Sequence, residues 1–80
     1  MDGTKYYEVE FGKKEDKEEV YSICIIGKRK PTVEEAEEFC HKDLEMMGYD
    51  HVNEVLDIDF EEAHRFFDME REKEFPIFGN

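Results

Sequence analysis

Val20-Tyr21-Ser22-Ile23-Cys24-Ile25-Ile26 carries apolar side chains at both parities, with Tyr21, Ile23 and Ile25 on one side and Val20, Cys24 and Ile26 on the other. A strand with one wet face alternates apolar with polar, so this run suits a central strand. Upstream, Tyr6 to Phe11 does alternate: Tyr7, Val9 and Phe11 oppose Tyr6, Glu8 and Glu10, as a half-buried strand requires. Between the two, Gly12-Lys13-Lys14-Glu15-Asp16-Lys17 reads as a polar hairpin loop. Gly27-Lys28-Arg29-Lys30-Pro31 ends the second strand, because Pro31 can neither donate to a ladder nor sit inside a helix.

Downstream the period changes. Thr32 followed three residues later by Glu35 is a capping-box signature, and Glu34, Glu35, Glu37 and Glu38 place negative charge at the positive end of a helix dipole. Val33, Ala36, Phe39, Cys40, Leu44, Met46 and Met47 fall within an arc of roughly 160° at helical spacing, and Gly48 is placed to cap the C-terminus, which predicts a helix over residues 33 to 47. Val52 to Ile58 reads as a strand. Asp59 and Glu62 form a second capping box, opening a helix from Phe60 to about Met69 with Phe60, Ala63, Phe66, Phe67 and Met69 inward. Phe75-Pro76-Ile77-Phe78 is an apolar, extended tail.

The order β-β-α-β-α over residues 1 to 80 predicts a single acidic α+β domain of two layers. It would have a small mixed three-stranded sheet, with the third strand parallel to the second, both helices on one face and the other face open. Tyr21, Ile23, Ile25, Phe39, Leu44 and Phe67 are the expected core. A mean hydropathy of −0.84 and 42% charged residues would suit a disordered chain, but 14% aromatic residues with seven Phe is more apolar mass than such chains carry. The longest apolar run, Ile23 to Ile26, is far short of the ~20 residues of a membrane span, and the start Met1-Asp2-Gly3 lacks a signal-peptide core. A cytoplasmic protein with Cys24 and Cys40 as free thiols is expected.

The charge of −12 is localised. Residues 1 to 33 hold seven acids and seven bases, whereas residues 34 to 80 hold sixteen acids and four bases. Such a one-sided field repels nucleic acid and anionic membranes and attracts basic protein surfaces. On the first helix Glu34, Glu38 and Glu45 lie within about 40° of one another opposite the core, with His41 and Glu37 alongside; on the second, Glu61, Asp68 and Glu72 line up in the same way. Carboxylates four apart stand ~6 Å apart along the axis, within reach of the spacing of successive backbone phosphates, so these stripes can imitate a phosphate array. The plainer account is a solvated face that keeps a small protein soluble.

Other residues invite chemistry less strongly. Asp43 and Glu70 fall inside the apolar arcs, where a carboxylate needs a donor or a raised pKa, although Glu70 is also explained if its helix ends earlier. Asp57 and Asp59 lie on one strand face and could hold Mg²⁺, but Asp59 already serves as a cap. Cys24, Cys40, His41, His51 and His64 have no zinc spacing, and Cys40 and His41 are ~100° apart on a helix, too far to act as nucleophile and base. His64 with Asp68 at i+4 is as readily a surface pair as an oriented base. Lys28, Arg29 and Lys30 precede a helix N-terminus already filled by Glu34 and Glu35, so they are expected to offset nearby carboxylates. No catalytic residue, metal site or cofactor is therefore assigned.

The expected function is a non-enzymatic one: binding a basic macromolecular partner, in its sharpest form as a nucleic-acid mimic that blocks a nucleic-acid-binding protein of restriction, CRISPR or repressor type, through Glu34, Glu38, Glu45, Glu61 and Asp68. The alternative is an adaptor or subunit that docks by the open sheet face and the Phe75 to Phe78 tail. A small metal-dependent hydrolase using Asp57, Asp59 and His64 is the weakest reading.

Overall fold

In a computed structural model, which describes residues 3–80, the hairpin forms as its sequence dictates. Strand β1, Lys5–Gly12, pairs antiparallel with β2, Val20–Gly27, from Lys5 opposite Gly27 to Gly12 opposite Val20. In the connecting loop the Asp16 side chain accepts the Glu18 N–H at 3.1 Å, and the Asp16 carbonyl accepts the Glu19 N–H at 3.2 Å, so the turn satisfies its own backbone. Strand β3, His51–Ile58, pairs antiparallel with β1 on the other side, with a register shift between Glu10 and Phe11. It runs in the same direction as β2, as expected, but lies beside β1.

The sheet has a fourth strand. The apolar tail folds back as β4, Ile77–Phe78, parallel to β2 at Ile26 and Gly27, giving the order β3-β1-β2-β4. The expected three-stranded sheet is corrected on this point, and β2 becomes an interior strand at its C-terminal end, Ile26 and Gly27.

The expected placement of both helices on one face is also overturned. Thr32 and Glu35 form the capping box of α1, Val33–Phe39; α2 is His41–Met47; Asp59 and Glu62 cap α3, Phe60–Phe66. Tyr7, Val9, Phe11 and Ile25 pack with Ala36, Cys40 and Leu44 on one side of the sheet. Cys24 and Ile26 pack with Ala63 and Met69 on the other, with Tyr6, Ile58, Phe67, Phe75 and Ile77 around them. Topology gives the physical reason. The α1–α2 connection steps from β2 across β1 to β3, and the α3 connection steps back from β3 to β4. Two parallel crossovers that travel in opposite directions share one handedness only if they use opposite faces. The both-sided apolarity of β2 is the same fact seen in sequence.

Details of the helices differ from the expected ones. The helix of residues 33 to 47 is broken at Cys40, a buried residue that leaves helical geometry (φ −100°, ψ 19°). Leu44 is buried, but Met46 is 83% exposed and Met47 is exposed too, so the apolar arc is wider than the sheet can cover. Gly48 caps α2 with φ 77°, the left-handed conformation a glycine adopts at little cost. The second helix ends at Phe66 instead of about Met69. Ala63 brings it close to the sheet, and Phe60 and Phe66, about 60° to either side of Ala63, are left 61% and 69% exposed instead of inward. Ile25 and Leu44 are core residues as expected, and Ile23, Phe39 and Phe67 are half-buried. Tyr21 is 43% exposed, a correction: it stacks on Tyr49 at 6.1 Å, above Phe11.

Candidate functional site

The acidic residues separate into those with partners and those without. Arg29 grips Glu35 through two hydrogen bonds of 2.9 and 2.7 Å, Lys30 reaches Asp57 at 3.3 Å, Lys13 reaches Glu19 at 3.3 Å, and Arg71 holds Glu74 at 2.7 Å. Arg29 and the backbone of Thr32 hold the Glu35 carboxyl well below the usual carboxylate range, at about 2. Of the Lys28-Arg29-Lys30 cluster, Arg29 offsets the nearby Glu35 as expected, Lys30 reaches Asp57, distant in sequence, and Lys28 pairs with no carboxylate among the described residues; Arg29 also lies over the Phe78 ring at 4.8 Å.

Glu34, Glu38 and Glu45 are exposed on the outer side of α1 and α2. Among the described residues no Lys or Arg pairs with them; Glu45 has only His41, at 3.7 Å. Glu37 turns away from this group and accepts the Val52 N–H at 3.0 Å, covering the outer edge of β3. Glu61 is exposed on α3, across the sheet from α1 and α2. Asp68 lies beyond the end of α3, exposed, with its carboxylate accepting the Glu70 N–H at 3.3 Å. Glu34 and Glu38 thus share α1, Glu45 lies on α2 beyond the break at Cys40, and Glu61 and Asp68 are set on the opposite side of the sheet. The second stripe, Glu61 with Asp68 and Glu72, does not form, because only Glu61 is on the helix.

Asp43 and Glu70 are exposed, so neither is the buried carboxylate their helical phase suggests; for Glu70 the reason is the early end of α3. Asp57 pairs with Lys30, and Asp59 accepts the Glu62 N–H at 2.8 Å as a cap. Among the described residues no three His, Cys, Asp or Glu side chains gather as a metal site. Cys24 and Cys40 are both free and buried, one in each core, with the sheet's two faces between their side chains.

His64 does not pair with Asp68. Its Nε2 lies 3.4 Å from Glu72 Oε1 and its Nδ1 lies 2.9 Å from the Phe60 carbonyl, an acceptor only, which puts a proton on Nδ1. Tyr6 donates its hydroxyl to Glu72 Oε2 at 2.8 Å, and the Phe60 ring stacks on His64 at 4.0 Å. Burial and the Glu72 carboxylate push the Tyr6 hydroxyl up to about 12, so it remains a donor. This Tyr6–Glu72–His64 cluster fastens the short 3₁₀ turn Glu72–Glu74 to β1 and α3. Sequence reasoning missed it, since Glu72 was assigned to a helix face; the signal available was Tyr6, an aromatic side chain on the more polar side of β1.

Among the described residues no helix is long and apolar enough to cross a membrane. No protein-family model matches the chain, and neither does any curated protein or any solved structure.

Proposed function

We propose that the protein is a non-enzymatic binder of a basic macromolecular partner, contacted through Glu34, Glu38 and Glu45 on α1 and α2. One observation carries this reading: Glu34, Glu38 and Glu45 stand exposed with no Lys or Arg paired to them, since Arg29 is taken by Glu35, Lys30 by Asp57, and Lys42 on α2 forms no ion pair among the described residues. Unneutralised like charges held side by side destabilise a free protein slightly and become favourable only against a positive surface. A nucleic-acid mimic that occupies the site of a nucleic-acid-binding protein is the sharpest form of the proposal. Glu61 and Asp68 would serve a partner that wraps round both sides of the sheet. The adaptor alternative loses its first basis, because α3 and the C-terminal segment cover one end of the second sheet face and Phe78 packs on Phe39 at 5.4 Å. The hydrolase alternative has no geometric support, given the commitments of Asp57, Asp59 and His64.

The test is the triple variant Glu34→Gln, Glu38→Gln, Glu45→Gln, which keeps helix propensity while removing three charges. Affinity for a captured basic partner should fall by roughly 1 to 3 kcal/mol, and its salt dependence should flatten. Unchanged affinity and an unchanged salt slope would refute the helix face as the contact.

A further inference from the structure

The free edge of β2 is the second surface with a specific chemistry. Lys28 donates its N–H to the Phe78 carbonyl at 2.9 Å, and the parallel pairing of Ile26 with Ile77 sets the alternation of the ladder. The N–H and C=O groups of Cys24, Ser22 and Val20 therefore point to the same outer edge as those of Ile26, and among the described residues nothing pairs with them. Strand β4 stops short of this stretch because Pro76 has no N–H to continue the ladder and the chain before it turns onto α3's side of the sheet.

Edges are ordinarily blunted by charge or covered. That is how β3 is treated, with Glu37 on its Val52 N–H. Between Val20 and Cys24 the β2 edge has neither charge nor proline. Two clefts flank it. One, of about 290 Å³, is lined on the α1–α2 side by Phe39, Cys40 and Asp43, with Phe75 and Pro76 closing its end. The other, of about 180 Å³, is lined on the α3 side by Phe67, Asp68, Met69 and Phe75. Asp43 and Asp68 are exposed, and among the described residues neither forms an ion pair with a Lys or Arg, although Arg71 lies near enough to feel the charge of Asp68.

We propose that the β2 edge from Val20 to Cys24 receives an extended basic segment of a partner protein as an added strand. Five residues of strand span roughly 16 Å. Backbone hydrogen bonds to Val20, Ser22 and Cys24 supply the register, and apolar side chains at alternate positions enter the two clefts. Adjacent residues of a strand point to opposite faces, so Lys or Arg on each side meets Asp43 on one face and Asp68 on the other. A second copy of this chain is disfavoured as occupant, because it brings the same acids and a further −12 to the edge. The proposal rests on the reading that the partner is basic but uses a different surface from the helix face.

The probe is the heptapeptide acetyl-Arg-Lys-Val-Ile-Val-Lys-Arg-amide, followed by ¹⁵N shifts and amide hydrogen exchange of the protein. At saturation the amides of Val20, Ser22 and Cys24 should gain at least about tenfold protection. The same peptide N-methylated on consecutive Val and Ile amides keeps its charge but cannot pair along either edge, and should bind at least about tenfold more weakly. Ser22→Pro removes only an outward N–H, so circular dichroism should stay native while binding is lost. Asp43→Asn with Asp68→Asn, which leaves the edge intact, should weaken binding about three- to tenfold. In the triple Gln variant the protection at Ser22 and Cys24 should persist, which separates this proposal from the helix-face reading. Equal binding of the methylated peptide, shifts confined to α1 and α2, or no binding up to about 1 mM would overturn it. Sedimentation showing a dimer that protects the same amides without peptide would assign the edge to a second copy instead.

Discussion

Burial pushes the Cys40 thiol up to about 12 and the Cys24 thiol up to about 11, which makes both poor nucleophiles at neutral pH. Each should react with iodoacetamide at pH 8 only as fast as the protein unfolds; labelling faster than unfolding would show that one of the cores is open. The sign of the pH dependence follows. A thiol held above its usual value of 9.0 stabilises the fold while protonated, fully below pH 9, and that contribution is lost as pH rises through about 11 to 12. At the same scale, Phe11 and Phe66 are identical residues with opposite expected effects. Phe11 is fully buried, so Phe11→Ala should lower stability by about 3 to 5 kcal/mol in urea unfolding. Phe66 is mostly exposed, so Phe66→Ala should change it by no more than about 0.5 kcal/mol.

The short helices depend on their caps. Helices α1 and α3 have seven residues each, too few to persist alone, and each begins with a reciprocal capping box. Asp59→Ala should lower stability by about 1 kcal/mol, read as a shift in the urea midpoint at constant slope. The α1 cap adds a pH window, because Glu35 serves both the Thr32 N–H and Arg29. Its carboxyl is held near 2 against an ordinary 4.5, so its contribution is complete above pH 4.5 and disappears as pH falls toward 2. The Glu35→Gln variant should show a smaller loss over that window than the parent; identical acid curves would mean the Arg29 contact is absent in solution.

For the whole molecule, the C-terminal segment is the decisive element. Phe75, Ile77 and Phe78 are half-buried and join the two cores across the end of the sheet, Ile77 with Ile26 and Phe78 with Phe39. Deleting residues 75 to 80 should therefore lower stability by roughly 3 kcal/mol or more, on the apolar surface lost. A truncated chain with an unchanged urea midpoint would show the tail to be an independent arm. Self-repulsion from a charge of −12 acts on the same scale. Stability should rise as salt increases from about 10 to 150 mM, where the screening length falls from about 30 to 8 Å.

Local chemistry was legible in the sequence wherever a pattern is closed within a few residues. The two strands of the hairpin, β3, both capping boxes, the glycine cap at Gly48 and the pairing of Arg29 with Glu35 follow from period, cap and charge alone. So did the segregation of net charge, which is a property of composition. What needed the tertiary structure is which surfaces meet. The tail looks like an extended segment until β2 offers it an edge, and the side of the sheet taken by α3 depends on the direction of a crossover that no local window contains. The phase of a helix fixes which residues share a face but not which of them meets the sheet, so Ala63 is buried while Phe60 and Phe66 stay outside, and it places Asp68 on a stripe only if the helix runs its full expected length. When α3 ends at Phe66, the residues after it are positioned by contacts with β1 and β2, and Glu72 turns from a surface acid into the partner of Tyr6 and His64.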